Sequence, residues 1–372
     1  MFTVGRNNRK MTDTPSSVEH SSIVMTTDTA DYVTQTTGTN VMTSSSRGME
    51  FYFQCAVVVI GVVGTASNAL ILYAFYASKQ HKKHVLVVNQ NVIDFFTSLF
   101  LAITYALILC DFHLTGVGGN WFCMLLLSEN PLWATLFASK INLMSVTIER
   151  YLKVVYPTWS KNKLRNWMIY SAVAFAWISG IVHISLLQLG RPDVIDGICL
   201  PYVIFPSDIV YLVYGVWYFI SYYLLVIIIF IFGYWRILVA IRRQARVMAS
   251  HSAVGSSTGQ NLSHQIQTNV IKTLILVSVF YGLSDLMMNM YFLLLCISRD
   301  LTPSDSVYYA AWFISCFYIC TNPFIYATKF DPVRRVLLDL IPCKKTPVQS
   351  IETVDMDVHV SRKAIRPIQS RK

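Results

Sequence analysis

Long apolar runs recur along the chain, separated by short polar stretches. Seven of them lie approximately over 51–77, 85–110, 122–148, 167–189, 209–240, 268–297 and 307–327. A helix crosses the hydrocarbon core of a bilayer with about 20 consecutive, mostly apolar residues. Lipid offers no partner to backbone N–H and C=O groups, so each run is predicted to be a helix. The seventh is the most polar at its ends, which leaves open six spans plus one buried segment. The pattern predicts an all-α membrane protein, a seven-transmembrane bundle within 51–342. A Ser/Thr-rich leader, 1–50, is expected to be disordered, and a tail follows over 343–372.

Composition agrees. The chain is 54% hydrophobic and only 13% charged, against roughly 25% charged in soluble domains. Basic residues alternate in density along the connections. The first-to-second connection carries Lys79, Lys82 and Lys83. The third-to-fourth carries Arg150, Lys153, Lys161, Lys163 and Arg165, and the fifth-to-sixth region Arg236, Arg242, Arg243, Arg246 and Lys272. With the C-terminal tail, 23 basic residues fall on one side, six on the other, and Lys140 within a helix. Basic residues stay cytosolic, so the N-terminus is expected outside and the C-terminus inside, in a plasma-membrane protein. The net charge of +10 then points to anionic membrane lipid as a partner. It does not point to nucleic acid, which would need a soluble basic domain. The leader shows no apolar cleavable segment, so the first span is expected to act as its own insertion signal.

Two segments outside the spans have their own character. The stretch 242–267 is rich in Ser, Gln and Gly and reads as a mobile linker. The stretch 331–341 places Val333, Val336, Leu337 and Leu340 on one face, with Arg334 and Arg335 beside it and Pro332 near the start. That suits a short amphipathic helix lying on the inner membrane surface. Cys343 follows and is a candidate for palmitoylation, the other reading being a free thiol.

Polar residues inside the spans are costly and hence candidates for function. Asn68, Asp94, Ser139, Lys140, Asp285 and Asn322 are of this kind. Asp94 also admits a bland reading, a protonated acid that is merely hydrogen-bonded. A buried ammonium needs a partner. Lys140 is expected to pair with Asp94 or Asp285, either as an ion lock or as a static structural pair.

These landmarks, with Glu149-Arg150-Tyr151 closing the third span and Asn322-Pro323-Phe324-Ile325-Tyr326 in the seventh, resemble the rhodopsin-like G-protein-coupled receptor family over roughly 51–343. Tyr156-Pro157, Trp177, Tyr234 and Phe330 also fall where that family has them. The resemblance implies a receptor without catalytic residues, cofactor or metal. It would bind an extracellular ligand and activate a heterotrimeric G protein. Glu149, Arg150, Tyr151, Tyr234, Asn322, Pro323 and Tyr326 would form the coupling and activation switch. Arg150 would pair with Glu149 at rest, Asn322 would fill backbone groups freed by Pro323, and Tyr326 would swing inward. Asn68, Asp94 and Ser139 would form a polar core. The resemblance also implies a disulfide between Cys123 and Cys199 on the outer side. Cys55, Cys110, Cys296, Cys316 and Cys320 would be packing residues. Arrestin and receptor kinases would act on Ser250, Ser252, Ser256, Ser257, Ser350, Thr353, Ser361 and Ser370, where the bland reading is solvated disorder.

The sequence departs from the family in three places. Cys123 lies 27 positions before Arg150, farther than the family spacing, and a bulge near Asn130-Pro131 would absorb the excess. In the sixth span Phe280 matches, but Ser284 stands for the usual Trp and Leu286 for the usual Pro, leaving Gly282 as the source of any kink. In the fifth, Val226 stands for a Pro. Leu132 and Cys316 occupy the positions used by amine receptors and opsins, which argues against a cationic amine or retinal. Glu129 remains a candidate partner for a cation. Trp133, Tyr211, Tyr214, Trp217, Tyr218, Tyr308, Tyr309 and Trp312 either line a pocket or pack as belt residues. A neuropeptide is the expected ligand. The alternatives are an ion- or proton-coupled transporter built on Asp94, Lys140 and Asp285, and a membrane hydrolase. The first would require repeats or broken helices. The second would require several metal ligands within the spans, where His183 stands alone.

Overall fold

The computed structural model describes residues 36–110, 114–187, 193–195, 198–200, 207–252, 258–297 and 305–340. Helix α1 (Thr36–Ala77) and α2 (Val85–Leu109) form the first two spans. The third is composite: α3 (Gly116–Phe122), a π-helical turn at Cys123–Leu127, and α4 (Asn130–Val155). A short α5 (Pro157–Lys163) leads to α6 (Asn166–Leu187), the fourth span. The fifth joins α7 (Asp208–Phe219), a second π-helical turn at Ile220–Leu224 and α8 (Leu225–Ser252). The sixth and seventh are α9 (Thr258–Ile297) and α10 (Asp305–Lys329), and α11 (Asp331–Asp339) follows. A two-stranded antiparallel hairpin, β1 (Asp193–Ile195) with β2 (Ile198–Leu200), interrupts an otherwise helical fold between the fourth and fifth spans.

The helices close into a ring around α4. Helix α1 packs on α2 and α10, α2 on α4, α4 on α6 and α8, α7 on α9, and α9 on α10. Burial follows helical spacing. In α1, Val57, Ile60, Asn68, Ile71 and Phe75 face inward, while Val59, Val62, Leu70, Tyr73 and Tyr76 face outward and stay exposed. Large apolar side chains on the outer surface are what a lipid-facing bundle requires, because lipid leaves nothing to gain by hiding them.

Among the described residues, six helices are long and apolar enough to cross a membrane. The composite third span is the exception, because α4 carries Lys140, Glu149, Arg150 and Lys153. Its charges are tolerated because the first three are buried at the centre of the ring. Helix α1 starts at Thr36, so helix reaches into the leader expected to be disordered. Helices α8 and α9 likewise extend to Ser252 and from Thr258. They occupy most of the stretch read as a linker, whose Arg, Gln, Ala and Met residues favour helix. Helix α11 starts one residue after Phe330, with Pro332 in its first turn. Val333 is fully buried and Arg334 and Arg335 are exposed. Residues 1–35, most of the 191–207 connection, Ser256, Ser257, Cys343 and the whole tail with Ser350, Thr353, Ser361 and Ser370 lie outside the described residues.

Candidate functional site

The polar core is larger than the sequence suggested. Asp94 accepts hydrogen bonds from Asn322 Nδ2 (2.8 Å), Gln90 Nε2 (3.0 Å) and Ser139 Oγ (3.1 Å). Gln90 Nε2 also reaches Ser139 Oγ at 2.5 Å, and its carbonyl accepts from Asn142 Nδ2 at 2.8 Å. Asn89 donates to Asn142 Oδ1 (2.8 Å) and accepts from the Trp177 indole (3.1 Å). One chain of bonds therefore joins α6, α2, α4 and α10. Asn89, Gln90 and Asn142 escaped the sequence reading. The signal was there in polar residues at 90 and 94, one helical turn apart on α2, and at 139 and 142 on α4. Asn68 is fully buried but donates to Gly64 O in its own helix at 2.9 Å, not to Asp94. Asn322 spends its amide on Asp94 and not on backbone freed by Pro323.

At the Arg150 end, Glu149 does pair with its neighbour, but at 3.5 Å, while Lys153 Nζ lies 2.6 Å from the same carboxylate. The shorter contact of Arg150 is with a residue the sequence did not single out: its Nη2 donates to His84 Nδ1 at 3.0 Å. His84 precedes α2 and meets the Phe330 ring edge-on at 5.2 Å. Burial first, and then the charges of Arg150, Lys153 and Lys83, push its pKa from 6.5 down to about 3. The imidazole is therefore neutral and can accept. Tyr234 Oη accepts from Thr147 (3.1 Å) and Ser278 (3.0 Å), clasping α4, α8 and α9 together. The Tyr326 hydroxyl is buried without a hydrogen-bond partner among the described residues. Tyr151 points elsewhere, its ring meeting Tyr156 and Phe232.

Midway along the bundle, Lys140 Nζ lies 2.8 Å from Asp285 Oδ2, with side-chain exposures of 7% and 16%. Of the two partners expected for Lys140, Asp285 is the one it meets. The same oxygen accepts from Tyr281 (3.1 Å) and Asn289 (2.7 Å). The pair faces a cavity of about 30 Å³, whose walls include Asp94, Leu132, Trp133, Trp312 and Cys316. That is room for a couple of ordered waters.

The sixth span is rotated relative to the register read from sequence. Phe280 is 42% exposed, whereas Tyr281 is 3% exposed and Asp285 lines the cavity. Tyr281 therefore takes the place assigned to Phe280, while Ser284 and Asp285 both line the cavity. Two adjacent aromatics look alike in sequence, and only the polar partners of Tyr281 and Asp285 decide which face turns inward. The Val226 departure has a counterpart as well. The widened turn at Ile220–Leu224 lies just before it, and here Tyr223 donates to Gly282 O (3.1 Å), with the Tyr281 hydroxyl 3.4 Å from Tyr222 O.

At the opposite end, Cys123 and Cys199 form the disulfide, tying the π-helical turn of the third span to β2. The extra spacing before Arg150 is absorbed where expected. The widened turn ends at Leu127, Glu129 adopts a left-handed conformation (φ 59°), and Pro131 sits in the first turn of α4. The Glu129 carboxylate accepts from the Trp133 indole at 3.1 Å. The aromatics divide. Trp133, Tyr218 and Trp312 line the cavity, while Tyr214 and Trp217 pack around the buried His183, Tyr309 stacks on Phe53, and Tyr211 and Tyr308 meet Phe292 and Tyr291. Cys296, Cys316 and Cys320 are buried as expected of packing residues, whereas Cys110 is exposed.

The model of the 7 transmembrane receptor (rhodopsin family) matches residues 67–326, a stretch that opens beside Asn68 and closes on Tyr326. Among curated proteins, Free fatty acid receptor 3 of Rattus norvegicus is 26% identical over 154 residues, which is 40% of this chain and 46% of that receptor. Free fatty acid receptor 3 of Mus musculus is 24% identical over 153 residues, with the same shares. The match thus spans under half the length of these relatives. Members of this family are receptors, not enzymes, and they bind an extracellular ligand and address a G protein. The family match covers most of the chain and takes in the Asp94 network, the Arg150 end and the composite third span alike, and on that ground the chain belongs to the rhodopsin family of seven-transmembrane receptors.

Proposed function

We propose that this chain sits in the plasma membrane with its disulfide end outside, and that an agonist reaching that end drives nucleotide exchange on a heterotrimeric G protein at the Arg150 end. The supporting observation is the latched state of that end. Arg150 is held by His84 and more loosely by Glu149, and Tyr234 clasps the third, fifth and sixth spans. The nearby Tyr326 hydroxyl has no hydrogen-bond partner among the described residues. An agonist needs only to favour the unlatched population. Arrestin and receptor kinases then act on the opened end and the tail.

For the agonist we favour a peptide, in keeping with the third-span and C-terminal segments of the sequence. A second reading, a fatty acid, is favoured by the name of the two relatives. The test is G-protein activation in cells expressing the chain, with and without a panel of neuropeptides and fatty acids, against Arg150→Ala at equal surface expression. Signal from the parent that Arg150→Ala abolishes supports the reading. Equal signal from both overturns it, and the responding ligand names the class.

A further inference from the structure

We propose that the midmembrane cavity is the docking point for a carboxylate on an apolar carrier, with Lys140 as its counter-ion and Asp285 as the group it displaces. The inference rests on the receptor reading above and deepens it. The shared chemistry is that of a fatty acid or of a free peptide C-terminus.

The argument begins with an asymmetry between the two partners. Asp285 Oδ2 accepts three hydrogen bonds, and two of them come from its own helix, Tyr281 and Asn289. If Lys140 leaves, Asp285 keeps both. Lys140 has no anionic reserve of this kind. Its ion pair is with Asp285, the Tyr218 hydroxyl is a further but neutral hydrogen-bond partner, and the rings of Phe137 and Tyr218 stand with their centroids 5.7 Å away. Faces of aromatic rings attract a cation but do not neutralise it. A buried ammonium without an anion is strongly unfavourable, and Asp94, which also lines the cavity, is held by Asn322, Gln90 and Ser139, so separation of α4 from α9 requires another anion at Lys140. An incoming carboxylate supplies it.

The cavity walls fit the rest of such a ligand. Lys140 lies ten residues into α4, about 15 Å along the helix from Asn130 at roughly 1.5 Å per residue. Between the helix start and that depth the lining turns apolar, with Leu132, Trp133, Leu136, Met288 and Trp312. An apolar stem would lie along these residues with its carboxylate at the floor. The pocket has a volume of only about 30 Å³, room for little more than water. Docking therefore moves Asp285 away from Lys140, and with it α9. Ligand binding and helix release are one event.

The test is thermal unfolding of the purified full chain in lipid nanodiscs, with four probes: decanoate, methyl decanoate, N-acetyl-Leu-Phe and its C-terminal amide. One or both free acids should raise the unfolding midpoint, and the neutral partners should not. Lys140→Met should lose the shift. Asp285→Asn, which leaves Lys140 without its internal anion, should respond to at least tenfold less acid. A shift from decanoate alone assigns a fatty acid, and from the dipeptide alone a peptide C-terminus. The proposal is overturned if neither acid shifts the parent, if ester or amide shifts it equally, or if Asp285→Asn needs as much acid as the parent. The readout contains no G protein. Failure here leaves the coupling reading standing, and failure of Arg150→Ala to silence the receptor leaves this site standing.

Discussion

Replacing His84 tests whether the Arg150 end is latched as described. In His84→Ala, Arg150 loses its 3.0 Å acceptor and keeps a 3.5 Å contact with a Glu149 that Lys153 already occupies. A hydrogen bond to a charged group contributes about 1.5–3 kcal/mol. Water entering at the bundle end replaces part of that, leaving a net loss of roughly 1 kcal/mol, or about fivefold in the latched-to-unlatched ratio. Basal nucleotide exchange should rise by that factor.

The same contact makes a pH prediction with a definite sign. Buried, and then held against the charges of Arg150, Lys153 and Lys83, His84 has its pKa pushed down to about 3. Released into water, it returns toward 6.5. Above 6.5 both forms are neutral and the latch has its full strength. As the pH falls below 6.5, the released imidazole takes up a proton that the latched one refuses, and the latch weakens progressively down to about 3. Acidifying that face from about pH 7.4 to about pH 6.0 disfavours the latched form by roughly 0.8 kcal/mol, near fourfold. His84→Asn keeps an acceptor oxygen without a titrating group, so it should stay near the parental basal rate and give a flat ratio. The assay is nucleotide exchange by a reconstituted G protein on nanodisc receptor, normalised to His84→Asn at each pH. Equal basal rates for parent and His84→Ala, or equal acid responses for parent and His84→Asn, would refute the latch.

Three further outcomes follow from the packing. Tyr326→Phe removes a buried hydroxyl that has no partner among the described residues, so thermal stability should hold or rise by up to about 1 kcal/mol, while agonist-stimulated exchange should fall. At Gly180 a β-carbon would overlap the Ala134 carbonyl oxygen where α6 crosses α4. Gly180→Ala should therefore cost roughly 1–3 kcal/mol, read as reduced surface expression and a lower Tm. Cys199→Ser opens a covalent loop with a sequence separation of 76 and should lower stability by about 2–4 kcal/mol, seen as a lower Tm that reducing agent no longer shifts.

What could be read from the sequence was whatever the membrane itself enforces. Span positions follow from length and apolarity. Asp94, Ser139 and Asn322 stood out because polar groups in lipid need partners. Gln90, Asn89 and Asn142 did not, because each is unexceptional in a helix and matters only through the crossing of α2 over α4. His84 is an ordinary loop histidine until folding carries Arg150 to it. The widened turn before Asn130 was foreshadowed by spacing and Pro131. The one at Ile220–Leu224 had no such marker, since its residues are apolar or aromatic on every side.

The sixth span shows how far one register step changes the reading. With Phe280 inward, the helix looks like a family member stripped of its Trp and Pro, needing Gly282 to bend. With Tyr281 inward, Ser278, Tyr281, Asp285 and Asn289 fall within one narrow face, at spacings of three and four. That face carries two fastenings to neighbouring spans, Ser278 to Tyr234 and Asp285 to Lys140, with Tyr281 donating to Asp285 within the helix. Ser278 and Asp285 are seven residues apart, about 10 Å along the axis. Helix α9 is thus pinned at two levels, the upper at Asp285, where the proposed anion would compete, and the lower at Tyr234. A proline hinge bends a helix that is otherwise held. Here the helix is held by side chains at Ser278, Gly282 and Asp285, so the movement proposed for α9 would come from exchanging those contacts and would need no proline.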